Sequence, residues 1–564
     1  MKGYWQKIEA LPKRKRILFM GDSITENGTY IRDLDAIFLK YMPESQLEWI
    51  GLGVSSETAS GTQEAAHPFP RPCVHERLDR ALSESRADWA FLCYGMNDGV
   101  YKPLSDEDFS AYRCGIDRAV QKIQAAGALP ILVTPPPFDI FSVNGRLQPD
   151  GMPDYAFEEP YERYDDVLEH YADWLLQYGR EQGIKTVDIR RPLLEWIATE
   201  RAADPKFRYG DGVHPQREGH AVIAHTILRR IFRIEWEKMP EWLFSDSEFL
   251  HKVTERRELL KAAWREHVGH TNPYKFEALP LDEALILAEQ HLPGIRAAAE
   301  QEGGALDERV SEWEGFVRRD YVRNGRACLI VEPESPAPGR PWIWRTEFFG
   351  HFMNADLELV RQGWHIGYIR LSDLYGSPFS AEAMEDFRDD AVRRFGLDAK
   401  PVLFGFSRGG LYAIRYAETY SQHVRALYVD APVVDIASWP GGLGAGTGSP
   451  NEWRDWVDIY GISVERQNPG PASAEADTVT AERAAQVTER LLELLRIPVE
   501  ADIPLLLIAG GADEAVPLEE NGDRLDRRYR ELGGRITRII KPDCGHHPHG
   551  LTKWPPTVTI EAYL

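Results

Sequence analysis

The stretch Arg16-Ile17-Leu18-Phe19-Met20-Gly21-Asp22-Ser23-Ile24 carries a short apolar run directly into a glycine, an acid and a serine. Four apolar residues are too few for a membrane span or the core of a signal peptide. They suit a buried strand, and the sequence after Ser23 starts a helix. A serine on such a turn stands at the carboxyl edge of a parallel sheet, where open α/β sheets form their ligand crevices. Asp-Ser is also a common helix cap, so the companions of Ser23 decide its meaning.

Further short apolar runs follow, with amphipathic segments between them. Leu47–Ile50, Trp89–Tyr94, Leu129–Thr134 and Lys185–Val187 read as strands; Arg113–Ala125 and Tyr164–Gln182 read as helices. This alternation specifies an α/β domain over residues 1–235. Residues 236–304 are charged and rich in Leu, Ala and Glu. They predict a helical extension on that domain, broken at His270-Thr271-Asn272-Pro273. A second α/β pattern fills 305–564, with strands expected at Ala327–Val331, Trp342–Trp344, His365–Tyr368, Pro401–Phe404, Ala426–Val429, Pro504–Ala509 and Ile536–Ile540. The boundary is expected near Gly303-Gly304. Gly441–Pro450, with five glycines, reads as a flexible loop near the second site.

At 564 residues the chain is too long for one core. Its net charge of −23 argues against nucleic acid or an anionic membrane as a partner, and against a polyanionic substrate. Five cysteines, odd in number and widely spaced, suggest free thiols in a reducing compartment, and so a cytoplasmic protein. No phosphate-binding loop appears, and no cofactor is expected.

Two segments give Ser23 its companions. Asp211-Gly212-Val213-His214-Pro215 sets an acid and an imidazole three residues apart in a loop. The acid can hold the His in the tautomer that takes a serine proton. Tyr94-Gly95-Met96-Asn97-Asp98-Gly99 follows a strand and offers the Asn97 side chain to a developing oxyanion. Together, GDSI, GMND and DGVHP resemble the first, third and fifth blocks of the GDSL, or SGNH, hydrolases. The resemblance covers about residues 14–235 and implies a flavodoxin-like three-layer α/β/α fold. It implies Ser23 as nucleophile, Asn97 as oxyanion donor, His214 as base and Asp211 as its orienting acid. The second block departs from the family. Gly53-Val54-Ser55-Ser56-Glu57-Thr58 places Ser56 where a glycine N–H is expected. Serine can serve there if the backbone needs no positive φ, and Gly53 is the alternative. His67-Pro68-Phe69-Pro70-Arg71-Pro72 reads equally as a wall of the substrate cleft or a rigid connector.

In the second half, Gly405-Phe406-Ser407-Arg408-Gly409-Gly410 lies between an apolar strand and a helical segment, the setting a G-x-S-x-G elbow needs. Asp513 follows the strand Pro504–Ala509, and Cys544-Gly545-His546-His547-Pro548-His549 follows the next. This order resembles the α/β-hydrolase serine esterases. It implies Ser407 as nucleophile, Asp513 as acid and His546 as base, with His547 an alternative base and Asp430 and Asp435 weaker acid candidates. The oxyanion donors expected are the N–H of Arg408 and one from the turn after Trp344, Arg345 or Thr346. Arg408 also resembles the arginine that follows the nucleophile in glucuronoyl esterases; a surface arginine at a helix start is the equal alternative. The three histidines invite a metal, but no acid or thiol accompanies them at ligand spacing, so no metal is expected.

The pattern therefore predicts two serine-hydrolase sites, with sugar-bound acyl esters on oligosaccharides as substrates of choice. A C-terminal peptidase, a glucuronoyl- or feruloyl-like esterase and a binding module are the alternatives for the second domain.

Overall fold

A computed structural model describes residues 14–234, 236, 239–302, 308–372, 374–460 and 474–551. Two compact units divide the chain, Met1–Ala305 and Leu306–Leu564. The boundary expected at Gly303-Gly304 lies outside the described residues.

In the first unit β1 (Arg16–Gly21), β2 (Glu48–Gly53), β3 (Trp89–Cys93), β4 (Leu129–Val133) and β5 (Lys185–Val187) form one parallel sheet in the order β2-β1-β3-β4-β5. That is the flavodoxin-like order, which reverses direction beside β1 and opens a crevice there. Alternate residues of each strand feed different cores. Ile17, Phe19, Trp89, Phe91, Ile131 and Val133 pack on one face with helices 29–41 and 217–230. Leu18, Met20, Ala90, Leu92 and Leu132 pack on the other with helices 106–125 and 164–182. The period of two in apolar strands buried on both sides thus makes the three layers.

Helices Glu248–Val268 and Leu281–Gln301 complete this unit. Phe249 and Val253 join the first core, Leu260, Trp264 and Val268 the second. The helix Glu248–Val268 runs along the edge strand β2, where Arg257 donates to the Trp49 carbonyl. An edge strand covered in this way cannot pair with another chain.

The second unit holds a nine-stranded sheet. Its strands are β6 (Arg309–Trp313), β7 (Phe316–Arg323), β8 (Arg326–Glu332), β9 (Trp342–Arg345), β10 (His365–Ile369), β11 (Val402–Phe406), β12 (Ala426–Asp430), β13 (Leu505–Gly510) and β14 (Ile536–Lys541). The order is β14-β13-β12-β11-β9-β10-β8-β7-β6, parallel except where β6, β7, β8 and β10 pair antiparallel. Trp342, Trp344, Leu403, Leu427, Val429 and Leu507 pack on one face, and Ile343, Phe404, Tyr428 and Ile508 on the other.

Every strand expected from an apolar run forms, with ends moved by at most three residues. The hairpin β6–β7 was not expected. It is largely exposed or half-buried, rich in Arg and Glu, and held by backbone pairing and ion pairs such as Arg319–Glu332. Among the described residues, no helix is long and apolar enough to cross a membrane.

Candidate active sites

Strand β1 ends at Gly21, and Asp22 caps the helix Ser23–Asn27 by accepting the Ile24 N–H at 3.0 Å. The cap fixes Ser23 on the crevice edge. Its hydroxyl lies 2.8 Å from Nε2 of His214, whose Nδ1 lies 2.8 Å from Oδ2 of Asp211. The other oxygen of Asp211 accepts the N–H groups of Val213 and His214 at 2.9 and 2.8 Å. Because a carboxylate only accepts, Nδ1 carries the proton and Nε2 is left to receive that of Ser23.

Burial opposes charge on Asp211, but the hydrogen bonds from His214 outweigh it and hold the carboxyl well below the usual range. Desolvation likewise lowers the His214 pKa; the hydrogen bond and charge of Asp211, with a smaller effect from Asp22, raise it above the ordinary value. Asp22 is buried, and desolvation pushes its carboxyl up to about 7, with Asp98 and Glu57 adding to the rise.

Ser56 takes φ = +65°, the left-handed region, so the position does require the backbone that glycine adopts freely. Serine holds it at a cost of roughly 1–2 kcal/mol. Its Oγ lies 3.0 Å from Nε2 of His67, and its carbonyl accepts from Arg71 at 3.3 Å. Among the described residues the Ser56 N–H has no hydrogen-bond partner, the state an oxyanion donor needs. The alternative, Gly53, belongs to β2 and pairs in register with Gly21. A Cβ on Gly53 would lie 2.0 Å from the Glu26 nitrogen, so its role is to let the helix Ser23–Asn27 approach β2. Asn97 sits past the end of β3. Its Nδ2 donates to the Glu57 carbonyl at 3.2 Å, and its Oδ1 accepts from Arg71 at 3.1 Å and Tyr101 at 3.3 Å.

Residues 67–72 are therefore more than a connector. They bring His67 and Arg71 against the two candidate oxyanion residues, and Phe69 against the exposed Tyr274. The turn before Ser56 is clamped from two further sides. Glu26 accepts the Ser55 N–H at 2.7 Å and its hydroxyl at 2.8 Å, and Asn272 donates to the Ser55 carbonyl at 2.9 Å. Glu26 has no role in the sequence reading, Arg71 figures there only within the wall or connector 67–72, and Asn272 only in the helix break. Each acts on a backbone group remote in sequence, which leaves no local pattern.

In the second unit Ser407 follows β11 at φ = +51° and precedes the helix Gly409–Thr419. The turn is this tight because Gly405 has no Cβ; one there would meet the Gly409 carbonyl at 2.8 Å. The Ser407 hydroxyl lies 2.9 Å from Nε2 of His546, and Nδ1 of His546 lies 2.7 Å from Asp513. Asp513 also accepts the N–H groups of Ala515 and Val516 at 3.0 and 2.8 Å. The glycine-rich stretch 441–450 lies beside this acid loop, with the Thr447 N–H on the Glu514 carbonyl.

His547 turns away: its exposed ring stacks on Phe352, and burial with the neighbouring His549 and His546 lowers its pKa. Of the weaker acid candidates, Asp430 holds His549 at 3.0 Å and Asp435 pairs with Arg524 at 2.5 Å; neither contacts His546.

The Arg408 N–H has no partner among the described residues and suits the oxyanion role. Its side chain is not the surface arginine considered above. The guanidinium is largely buried and donates to Glu347 at 3.2 Å and Glu452 at 3.0 Å. Neither candidate in the turn after Trp344 fits. Arg345 is the last residue of β9, paired with Tyr368 and Phe404, and the Thr346 N–H donates to the Phe404 carbonyl at 3.0 Å. The strand runs one residue further than its apolar run, and the Thr346 N–H is taken up by the neighbouring strand as well.

Ligand atoms of His546, His547 and His549 lie within 4.8 Å of one another. Asp430 bonds His549 from β12 but is not one of that cluster. His546 nevertheless engages Ser407 and Asp513 with its two nitrogens.

A model of the GDSL-like Lipase/Acylhydrolase family matches residues 19–222, and one of the Alpha/beta hydrolase family matches 335–551. No curated protein matches the chain. Among solved structures it is similar to Axe2, an acetylxylan esterase from Geobacillus stearothermophilus, at 19% identity and TM-score 0.30, over 39% of this chain and 96% of that one. It is similar to a Pyrococcus horikoshii acylaminoacyl peptidase at 14% identity and TM-score 0.27, over 42% and 37%. A monoacylglycerol lipase from Paleococcus ferrophilus is 20% identical with TM-score 0.27, over 39% and 90%. The chain thus joins a GDSL-like lipase/acylhydrolase domain to an α/β-hydrolase domain, and both belong to hydrolase families.

Proposed function

We propose that the chain is a bifunctional serine esterase with two independent sites, Ser23-His214-Asp211 and Ser407-His546-Asp513. The observation that carries this reading is the repeated geometry. In each domain a serine hydroxyl lies within 2.9 Å of an imidazole nitrogen, the other nitrogen lies on a carboxylate, and one backbone N–H, of Ser56 or of Arg408, has no partner among the described residues.

In each site the serine oxygen attacks the ester carbonyl while its proton passes to Nε2 of the histidine. The carbonyl oxygen becomes an oxyanion, held by the Ser56 N–H and Asn97 Nδ2 in the first site and by the Arg408 N–H in the second. Collapse expels the alcohol, which takes the proton from the imidazolium, and leaves an acyl-serine. Water, deprotonated by the same histidine, then releases the acid and restores the serine.

The substrate class we propose is acetyl or related acyl esters on plant-type oligosaccharides. Two features support it at the first site. The net charge of −23 disfavours polyanions, and His67, Phe69, Phe157 and Tyr274 present a run of ring contacts beside Ser56. For the second site, the two carboxylates that hold Arg408 oppose a glucuronoyl-type role, since they already neutralise the guanidinium.

The test is acetate release from acetylated xylan and xyloglucan oligosaccharides by wild type, Ser23→Ala, Ser407→Ala and the double variant. The reading requires each single variant to lose a different subset of products and the double variant to be inactive. A Ser407→Ala protein with the full wild-type product set would remove the second site from this chemistry.

A further inference from the structure

Arg71 lies between two prolines, and only 3% of its surface is exposed. Its Nε and Nη2 donate to one oxygen of Glu64, at 3.0 Å for Nε. Nη1 points the other way, to the Asn97 Oδ1 at 3.1 Å and the Ser56 carbonyl at 3.3 Å. The guanidinium lies over the Tyr101 ring at 5.7 Å, and the Tyr101 hydroxyl donates to the same Asn97 oxygen. One buried cation therefore touches both residues that hold the oxyanion of the first site.

A guanidinium has no acceptor, so it must face the oxygen of the Asn97 carboxamide and never its nitrogen. This fixes which way the amide is turned. Nδ2 then has one hydrogen on the Glu57 carbonyl, and the second has no acceptor among the described residues. A cation at the carbonyl end also draws density through the conjugated amide and strengthens the N–H end as a donor, an effect that grows in a buried site. At Ser56 the same nitrogen pins the carbonyl of a residue held in the left-handed region. Glu64 in turn is fixed by the Phe157 N–H at 2.7 Å, which ties the arginine to a segment remote in sequence.

We propose that Arg71 is a positioning residue of the first site: it sets and polarises the Asn97 amide and holds the Ser56 turn, and so acts on the transition state through both. The inference rests on the reading that Ser23 is an ester-hydrolysing nucleophile. Arg71 does not touch the substrate in this scheme; its effect falls on kcat and leaves KM unchanged.

The experiment uses the full chain carrying Ser407→Ala, so that only the first site is read, with acetylated xylo-oligosaccharide and p-nitrophenyl acetate as substrates. Arg71→Met is expected to lower kcat by about 10²–10³-fold with KM within twofold, the range for loss of an oxyanion donor. Arg71→Lys keeps a cation for Glu64 but cannot span both partners, and recovers about tenfold of that loss. Tyr101→Phe leaves the Arg71–Glu64 pair in place and lowers kcat by about three- to tenfold. Affinity for phenylboronic acid, whose serine adduct is tetrahedral, falls in step with kcat, whereas product inhibition by acetate does not change. A fold defect alone would not divide these readouts. If Arg71→Met does not fold, Arg71→Lys and Tyr101→Phe decide the matter. Folded variants with wild-type kcat and boronate affinity overturn the proposal. If Ser23→Ala in the same background keeps the wild-type rate, or the background hydrolyses neither ester, the esterase reading fails instead.

Discussion

Asp430 and His549 form a buried acid–imidazole pair, Oδ1 to Nδ1 at 3.0 Å, beside the Asp513–His546 pair that reaches Ser407. The second oxygen of Asp430 accepts the Gly550 N–H at 2.6 Å. Strand β12 thereby anchors the far end of the loop that carries His546. Replacing Asp430 with Ala orphans the half-buried Gly550 N–H and the buried His549 imidazole, the latter at about 1–3 kcal/mol. The expected outcome is an earlier unfolding transition and lower activity of the second site in a Ser23→Ala background. Differential scanning calorimetry and ester hydrolysis read the two effects, and an unchanged melt would refute the anchoring role.

The pH profile of the first site follows from His214. Its pKa is raised above the ordinary value against the cost of desolvation, chiefly by Asp211. A base must be neutral, so activity is lost as pH falls through that raised pKa. In the Ser407→Ala protein the acid limb is expected above 6.5, the ordinary value for histidine. Asp211 stays ionised throughout, because its own pKa is depressed. Asp211→Asn should move the limb to lower pH and reduce kcat by about 10⁴-fold, through loss of the tautomer as well as the charge. A limb that does not move in this variant would mean that another group titrates.

Asp22 gives a stability prediction of the opposite kind from an ion-paired acid. Its folded pKa is raised from 3.8 to about 7 by burial. The folded state therefore favours the proton, and stability is lost as pH rises from the unfolded value towards 7. The whole effect is bounded at roughly 4 kcal/mol, from about 1.4 kcal/mol per pKa unit. Asp22→Asn keeps a side-chain oxygen for the Ile24 N–H and removes the titration. Its advantage over wild type in thermal unfolding should grow between pH 4 and pH 7 and then level off. An advantage independent of pH would exclude this linkage.

Ser56 separates backbone from side chain. Ser56→Gly relieves the left-handed strain, keeps the N–H and loses only the contact with His67. Activity within about tenfold of wild type is expected. Ser56→Val keeps the N–H too, but a β-branched residue resists positive φ, and the displaced turn should cost about 10²–10³-fold in kcat. Steady-state kinetics on both variants test whether geometry at this amide or the serine hydroxyl matters.

Much of this was legible in the chain, for identifiable reasons. The parallel strands of both sheets announce themselves because strands buried on two faces are largely apolar, as in Ile17–Met20 and Val402–Phe406. The hairpin β6–β7 did not, since backbone pairing between half-exposed strands needs no apolar run. Ser23, Asp211 and His214 could be read because short segments of fixed type carry them. His546 could not be told from His547, since adjacent residues differ only in the direction a loop gives them. Arg71 and Asp430 were opaque for another reason. Their partners lie 26 and 119 positions away, and only the folded sheet brings them together.

The helix Glu248–Val268 and the loop after it have a consequence for inheritance. They cover the open edge of β2 and, through Asn272, hold the turn that presents Ser56. A gene fragment ending at residue 235 would encode Ser23, Ser56, Asn97, Asp211 and His214, yet would expose an adhesive strand and release the Ser55 carbonyl from Asn272. The transferable unit is therefore the whole segment Met1–Ala305, and any recombination that moves this chemistry to a new host chain must carry the helical pair with it.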